Sequence, residues 1–174
     1  METEVLVKKA KKGDKEALVQ LIMTEKQDYY KLAYVYMRNP EDAMDAMEDM
    51  IVILYENIDH LKNENSFYSW SKTILVNCCK NSLKKKNKVV LLELDELHEG
   101  YQDNLVEQKD EQLRLDKHLQ ELNIKQREVI KLRYFMDMDY QSIAELLRIP
   151  VGTVKSRISI GLKKLKVVLG GEEL

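Results

Sequence analysis

Apolar residues in this chain return every three to four positions along nearly its whole length. Ala17, Leu18, Leu21 and Ile22 are followed by Tyr29, Leu32, Ala33 and Tyr36. That is the spacing of one face of a helix. A two-residue alternation competes only at Val89–Leu94. Backbone breakers are scarce, with six Gly and two Pro in 174 residues, which leaves too few turns for an all-β fold. The pattern predicts an all-α protein. No apolar run approaches the roughly 18–20 residues that span a bilayer, so no membrane insertion is expected.

The few breakers sit where they punctuate helices. Asp14 precedes an apolar run and is placed to cap it. Asn39-Pro40 ends one helix, because the residue before proline is pushed out of the α region. Pro40 opens the next at a position whose missing N–H costs nothing. That helix is expected to run to about Asp59, followed by a polar loop over 60–65 and another helix from Ser66 to about Lys86. Beyond residue 110, four more helices are marked by Leu113 to Leu122, Val129 to Tyr134, Ile143 to Leu147, and Val154 to Leu165.

Charge divides the chain more sharply than its net −2 indicates. Residues 1–88 hold 15 Lys and Arg against 14 Asp and Glu, residues 89–110 one against seven, and residues 111–174 12 against nine. Two helical domains, 1–88 and 111–174, are therefore expected, joined by an acidic linker at 89–110. A local basic face decides whether nucleic acid is a partner, not the bulk balance.

Three surfaces carry chemistry. On the helix after Pro40, Asp42, Asp45, Glu48, Asp49 and Glu56 are three or four apart and share a face. Like charges so spaced cost a helix about 0.2–0.5 kcal/mol per pair. A basic protein partner compensates that cost, as does plain solvation. Asp42 is explained by the helix N-terminus alone; Asp45, Glu48 and Asp49 are not. The stretch 60–88 offers Lys62, Lys72 and Lys80 for a nucleic-acid backbone, and Phe67, Tyr68 and Trp70 as base-stacking faces or as core. The last two helices are joined by Arg148-Ile149-Pro150, the short turn of a helix-turn-helix. Val154, Ile158, Leu162 and Leu165 face inward on the second of them. Thr153, Lys155, Ser156, Arg157, Ser159 and Lys163 are left outward, a small, polar and basic set suited to the major groove.

The words Gln126-Arg127-Glu128-Val129-Ile130, Leu132-Arg133-Tyr134, Ile143-Ala144-Glu145 and Ile149 to Arg157 (IPVGTVKSR) resemble domain 4 of bacterial RNA polymerase sigma factors, most nearly the extracytoplasmic-function (ECF) group. Residues 5–88 resemble domain 2 of the same group, through Asn39-Pro40-Glu41-Asp42-Ala43, Glu48-Asp49, and Ser66-Phe67 with Trp70. The resemblance implies that Asp45, Glu48 and Asp49 meet the β′ clamp coiled coil of core polymerase, and that domain 4 meets the β flap. By position, Asn63, Asn65, Ser66 and Phe67 would line a pocket for an unpaired minus-10 base. Asn77, Lys80 and Asn81 would follow the strand along the helix, with Lys62 and Lys72 on its phosphates. Thr153, Lys155, Ser156, Arg157, Ser159 and Lys163 would read the minus-35 element. The family further implies promoter DNA and an anti-sigma factor as partners. It implies a linker that threads near the polymerase active centre; the linker's own net −6, with Asp95, Glu96 and Glu99, suits it to mimic nucleic acid in a basic channel.

Three residues depart from the family: Glu48, where Gln is common, Arg148, where such turns usually hold Gly, and Ile160, where a basic or aromatic residue is common. The rival readings are a stand-alone helix-turn-helix regulator and a helical protein-binding adaptor. No nucleophile–base pair, phosphate loop or metal-ligand spacing indicates an enzyme, a cofactor, a metal or a small-molecule substrate. Cys78 and Cys79 are adjacent and read as packed free thiols of a reducing cytoplasm. No secretory leader is recognisable, so a cytoplasmic location is expected.

Overall fold

A computed structural model describes residues 2–93 and 117–170, with side chains described outside 88–93. The described elements are helical throughout. The chain divides into two compact units, Met1–Asp95 and Glu96–Leu174.

Among its described residues the first unit holds five α-helices: α1 (Glu2–Lys11), α2 (Lys15–Thr24), α3 (Lys26–Met37), α4 (Pro40–Asn57) and α5 (Phe67–Glu93). Acids in the first turn of α1 and lysines in its last both favour the helix dipole. Gly13, at φ 94°, turns the chain, and Asp14 Oδ1 then accepts from Ala17 N at 3.1 Å to start α2. Asn39 Oδ1 accepts from Glu41 N and Asp42 N at 2.9 and 3.1 Å, and Pro40 follows as the first residue of α4. Both start signals thus act as the sequence indicates. One break went unsignalled: Glu25, at φ −114° and ψ 23°, parts α2 from α3 inside what reads as unbroken helical spacing. Its carboxylate pairs with Lys72 of α5 at 2.7 Å.

Helices α3, α4 and α5 pack around Tyr29, Leu32, Met50, Leu54, Phe67 and Leu75, each no more than 1% exposed. The α1–α2 hairpin adds Val7 and Leu21 to the core. Each such side chain contributes about 1.5–3 kcal/mol by burial. Between α4 and α5 lie two short 3₁₀ turns, Ile58–His60 and Glu64–Ser66, in the stretch expected as loop. The second turn is tied to α1 by Lys11 Nζ and Glu64 Oε1 at 2.9 Å.

Three expectations need correction here. The linker does not begin at residue 89, because α5 continues to Glu93. Nothing between Lys86 and Glu93 breaks a helix, and a change of charge sign is not a stop signal. The rest of the expected linker, including Asp95, Glu96 and Glu99, lies outside the described residues. Phe67 is wholly buried, so it supports the loop from beneath and presents no face to a base. Ile51, which helical spacing from the sequence puts with Ala43, Met47, Met50, Leu54 and Ile58 on the core-facing side of α4, is 38% exposed.

The second unit begins, within the described residues, with a helical turn at 117–119 and continues as α6 (Ile124–Tyr134), α7 (Tyr140–Leu147) and α8 (Val151–Val168). Asn123 caps α6 through Gln126 N at 2.8 Å, and Asp139 caps α7 through Ser142 N at 2.7 Å. The Arg127 guanidinium donates to the carbonyls of Leu119, Gln120 and Leu122, which fixes the chain ahead of α6. Leu119, Leu132, Ile143, Val154 and Ile158 form the core.

Candidate functional site

Helices α7 and α8 and the turn 148–150 form a helix-turn-helix, and its construction explains what it exposes. The Asp139 carboxyl is held below its ordinary range, first by the Ser142 N–H it accepts from, then by the Ser142 hydroxyl, and less by nearby Arg133. At the far end, the Arg148 N–H closes α7 onto the carbonyls of Ala144 and Glu145. Arg148 does so in the left-handed region, at φ 53° and ψ 48°. A side chain there costs on the order of 1 kcal/mol relative to Gly. Pro150, extended at φ −61° and ψ 146°, then leads into α8.

Val154, Ile158, Gly161 and Leu165 anchor α8, while Leu162 is half-buried at the edge of that face. Gly161 is where α8 comes nearest α6: a Cβ there would stand 2.5 Å from Ile130 Cδ1. On the opposite side, Lys155, Ser159 and Lys163 form an exposed stripe at four-residue intervals, with Ser156 beside it. Thr153 and Arg157 are half-buried and flank the stripe, so the six expected residues span two adjoining faces. Ile160 is 48% exposed and interrupts the polar surface.

On α5, Asn77 and Asn81 are exposed, and Lys80 is half-buried on the same face, continuing to exposed Lys84. Ahead of them, Lys62, Asn63 and Asn65 are exposed and Ser66 is half-buried. Asn63 Oδ1 accepts from Asn65 N at 3.0 Å, which leaves its amide N–H groups for another acceptor. Lys72 stands apart from this surface, about a quarter exposed and held by Glu25. Trp70 is half-buried, with its ring 6.2 Å from that of Phe67. Cys78 and Cys79 lie inside, and burial pushes the Cys79 thiol up to about 12.

On α4, Asp45, Glu48 and Asp49 are all exposed, whereas Asp42 is engaged by Lys86 of α5. Around the acids the surface is apolar: Met44, Ile51, Val52 and Tyr55 are all more than a third exposed. Charge reasoning alone missed these four. The signal available for Ile51, Val52 and Tyr55 was Met50–Tyr55, six consecutive apolar residues. One core-facing stripe absorbs only about half of such a run.

The chain matches the family model for sigma-70 region 2 over residues 21–89 and that for sigma-70 region 4 over residues 112–165. The first therefore falls on α2 to α5 and the second contains the helix-turn-helix. RNA polymerase sigma factor SigV of Bacillus subtilis is 31% identical over 169 residues, covering 95% of this chain and 99% of that protein. The ECF sigma factor SigW of the same organism is 30% identical over 173 residues, covering 92% of each. Among solved structures, CnrH in complex with the cytosolic domain of CnrY shares the fold with a TM-score of 0.70 at 22% identity, covering 99% of this chain and 100% of that one. Sigma factor RpoE of Bartonella quintana, in complex with the anti-sigma factor NepR, gives a TM-score of 0.66 at 21% identity, covering 88% and 97%. The chain belongs to the ECF group of the sigma-70 family of RNA polymerase sigma factors, a family of transcription initiation factors rather than catalysts.

Proposed function

We propose that this chain directs core RNA polymerase to promoters by binding the β′ clamp coiled coil through α4 and the β flap through its second unit. In this reading α8 reads the minus-35 element through Thr153, Lys155, Ser156, Arg157, Ser159 and Lys163. The surface formed by Lys62, Asn63, Asn65, Ser66, Asn77, Lys80 and Asn81 captures the unpaired minus-10 strand. Extruding a base costs a few kcal/mol, and contacts made only to the unpaired base offset that cost and favour melted DNA. Lys72 joins them only by leaving Glu25. The single observation that carries the reading is the outward face of α8, basic and polar, set on a short-turn helix-turn-helix. The exposed acids of α4, bordered by apolar side chains, support a protein partner on the first unit. RpoE of Bartonella quintana is held by an anti-sigma factor, and for this chain an anti-sigma factor covering the same α4 surface is the corresponding proposal. The setting is the cytoplasm, where polymerase and promoter meet.

Run-off transcription with purified core polymerase and genomic fragments tests this. New starts that share a minus-35 and minus-10 pair are the expected result. No new starts, with tight DNA binding in the absence of polymerase, would instead identify a stand-alone regulator. Replacing Lys155 and Arg157 together by Ala is expected to weaken promoter binding. It should also flatten the salt dependence by about 0.9 in log–log slope for each phosphate that is no longer neutralised.

A further inference from the structure

We propose that the Arg148 guanidinium is an additional DNA-phosphate contact, made from the turn of the helix-turn-helix at the edge of the minus-35 element. The proposal rests on the reading of α8 given above. Arg148 is exposed and stands three residues before the first residue of α8. It holds a left-handed backbone that glycine adopts without strain. Closing α7 uses only its backbone N–H, which every residue but proline supplies. The side chain therefore adds nothing to the turn that glycine would lack, and it adds strain.

Among the described residues of the unit the guanidinium has no offsetting partner. It makes no hydrogen bond or ion pair among the described residues, and the nearby carboxylate of Glu145 is engaged by Gln141 Nε2 at 3.2 Å. Arg38 has the same left-handed backbone at the end of α3 but engages another group. Arg148 is thus a strained, unpaired cation held beside the start of the helix whose first turns meet the base edges. A residue just ahead of those turns meets the sugar-phosphate backbone, where contacts set register. The planar guanidinium fork matches two phosphate oxygens at once.

The test uses the full chain assembled with core polymerase on a promoter fragment recovered by run-off transcription. Equilibrium binding is measured across a salt series for wild type, R148G, R148A and the Lys155/Arg157 double alanine variant, alongside the melting temperature of each free chain. R148G and R148A are both expected to lower the log–log salt slope by about 0.9 and to weaken binding about fivefold near physiological salt. R148G should melt higher than wild type because it relieves the strained turn, and R148A should not. Weaker binding by the more stable variant excludes misfolding as its cause. Wild-type slopes in both Arg148 variants, with a flattened slope in the double variant, would overturn the inference and leave the reading of α8 standing. A loss of affinity at an unchanged slope would overturn it too. No promoter recovered, or an unchanged slope in the double variant, would remove the reading of α8 and this inference with it.

Discussion

Tyr29 carries a phenol into the centre of the first unit, where it is wholly buried. Its O–H donates to Ser71 Oγ at 2.7 Å, and Ser71 donates onward to the Tyr68 carbonyl at 3.0 Å. Burial pushes the phenol well above its ordinary pKa, so it stays a donor at every working pH. Ser71→Ala leaves that donor without a partner and is expected to destabilise the unit by about 1–3 kcal/mol. Adding Tyr29→Phe removes the orphaned group and should recover most of the loss. Urea unfolding of the two variants checks this; a double variant no more stable than Ser71→Ala would show that Tyr29 has another partner. Helical spacing already places Tyr29 in the core. It does not reveal Ser71, because one serine 42 positions away carries no mark of the helix it will face. The same gap explains Phe67, whose aromatic ring reads equally as core or as stacking platform until its burial is known.

At the scale of elements, the legible features were those with a local cause. Asp14, Asn39-Pro40 and Asp139 announce helix starts because the capping atom and the N–H it accepts from lie within three residues. The break at Glu25 has no glycine or proline to announce it, and α5 outruns the expected boundary because nothing stops it. The approach of α6 and α8 is equally hidden, since Gly161 on its own reads as a weak spot in a helix. Gly161→Ala gains about 1 kcal/mol of helix propensity. It also drives a Cβ onto Ile130 Cδ1, and overpacking of that kind costs about 1–3 kcal/mol. In wild type the two terms nearly cancel. In an Ile130→Val background the clashing methyl is gone and the other neighbours are at an ordinary 3.6 Å, so the propensity gain should be kept. The expected coupling is about 1 kcal/mol, read by chemical denaturation as a double-mutant cycle. Strict additivity would show that Ile130 rotates aside without cost.

The two-unit organisation was legible in the charge pattern, because a short acidic stretch parts two more basic blocks. What the whole molecule offers a partner was only half legible. The acids of α4 were found because exposed like charges on one face need a reason, while of their apolar neighbours Ile51 was assigned to the core and Met44, Val52 and Tyr55 drew no reading. The two components of this surface make separable predictions. Converting Asp45, Glu48 and Asp49 to Asn, Gln and Asn removes like-charge neighbours three and four apart, worth about 0.2–0.5 kcal/mol per pair to the free helix. The free chain should therefore be as stable as wild type or slightly more so. Its affinity for core polymerase should nevertheless fall, most clearly at low salt, where charge attraction is least screened. Ile51→Ala together with Tyr55→Ala should weaken the same complex with little salt dependence, because burial of apolar area is not screened. Measuring both variants against purified core polymerase at two salt concentrations separates the contributions. Full affinity in both would remove α4 as the polymerase contact while leaving family membership intact, since that rests on the match of the whole chain. Loss in the apolar variant alone would mean that the acids serve to keep an exposed apolar helix soluble, and that polymerase recognises the surface beside them.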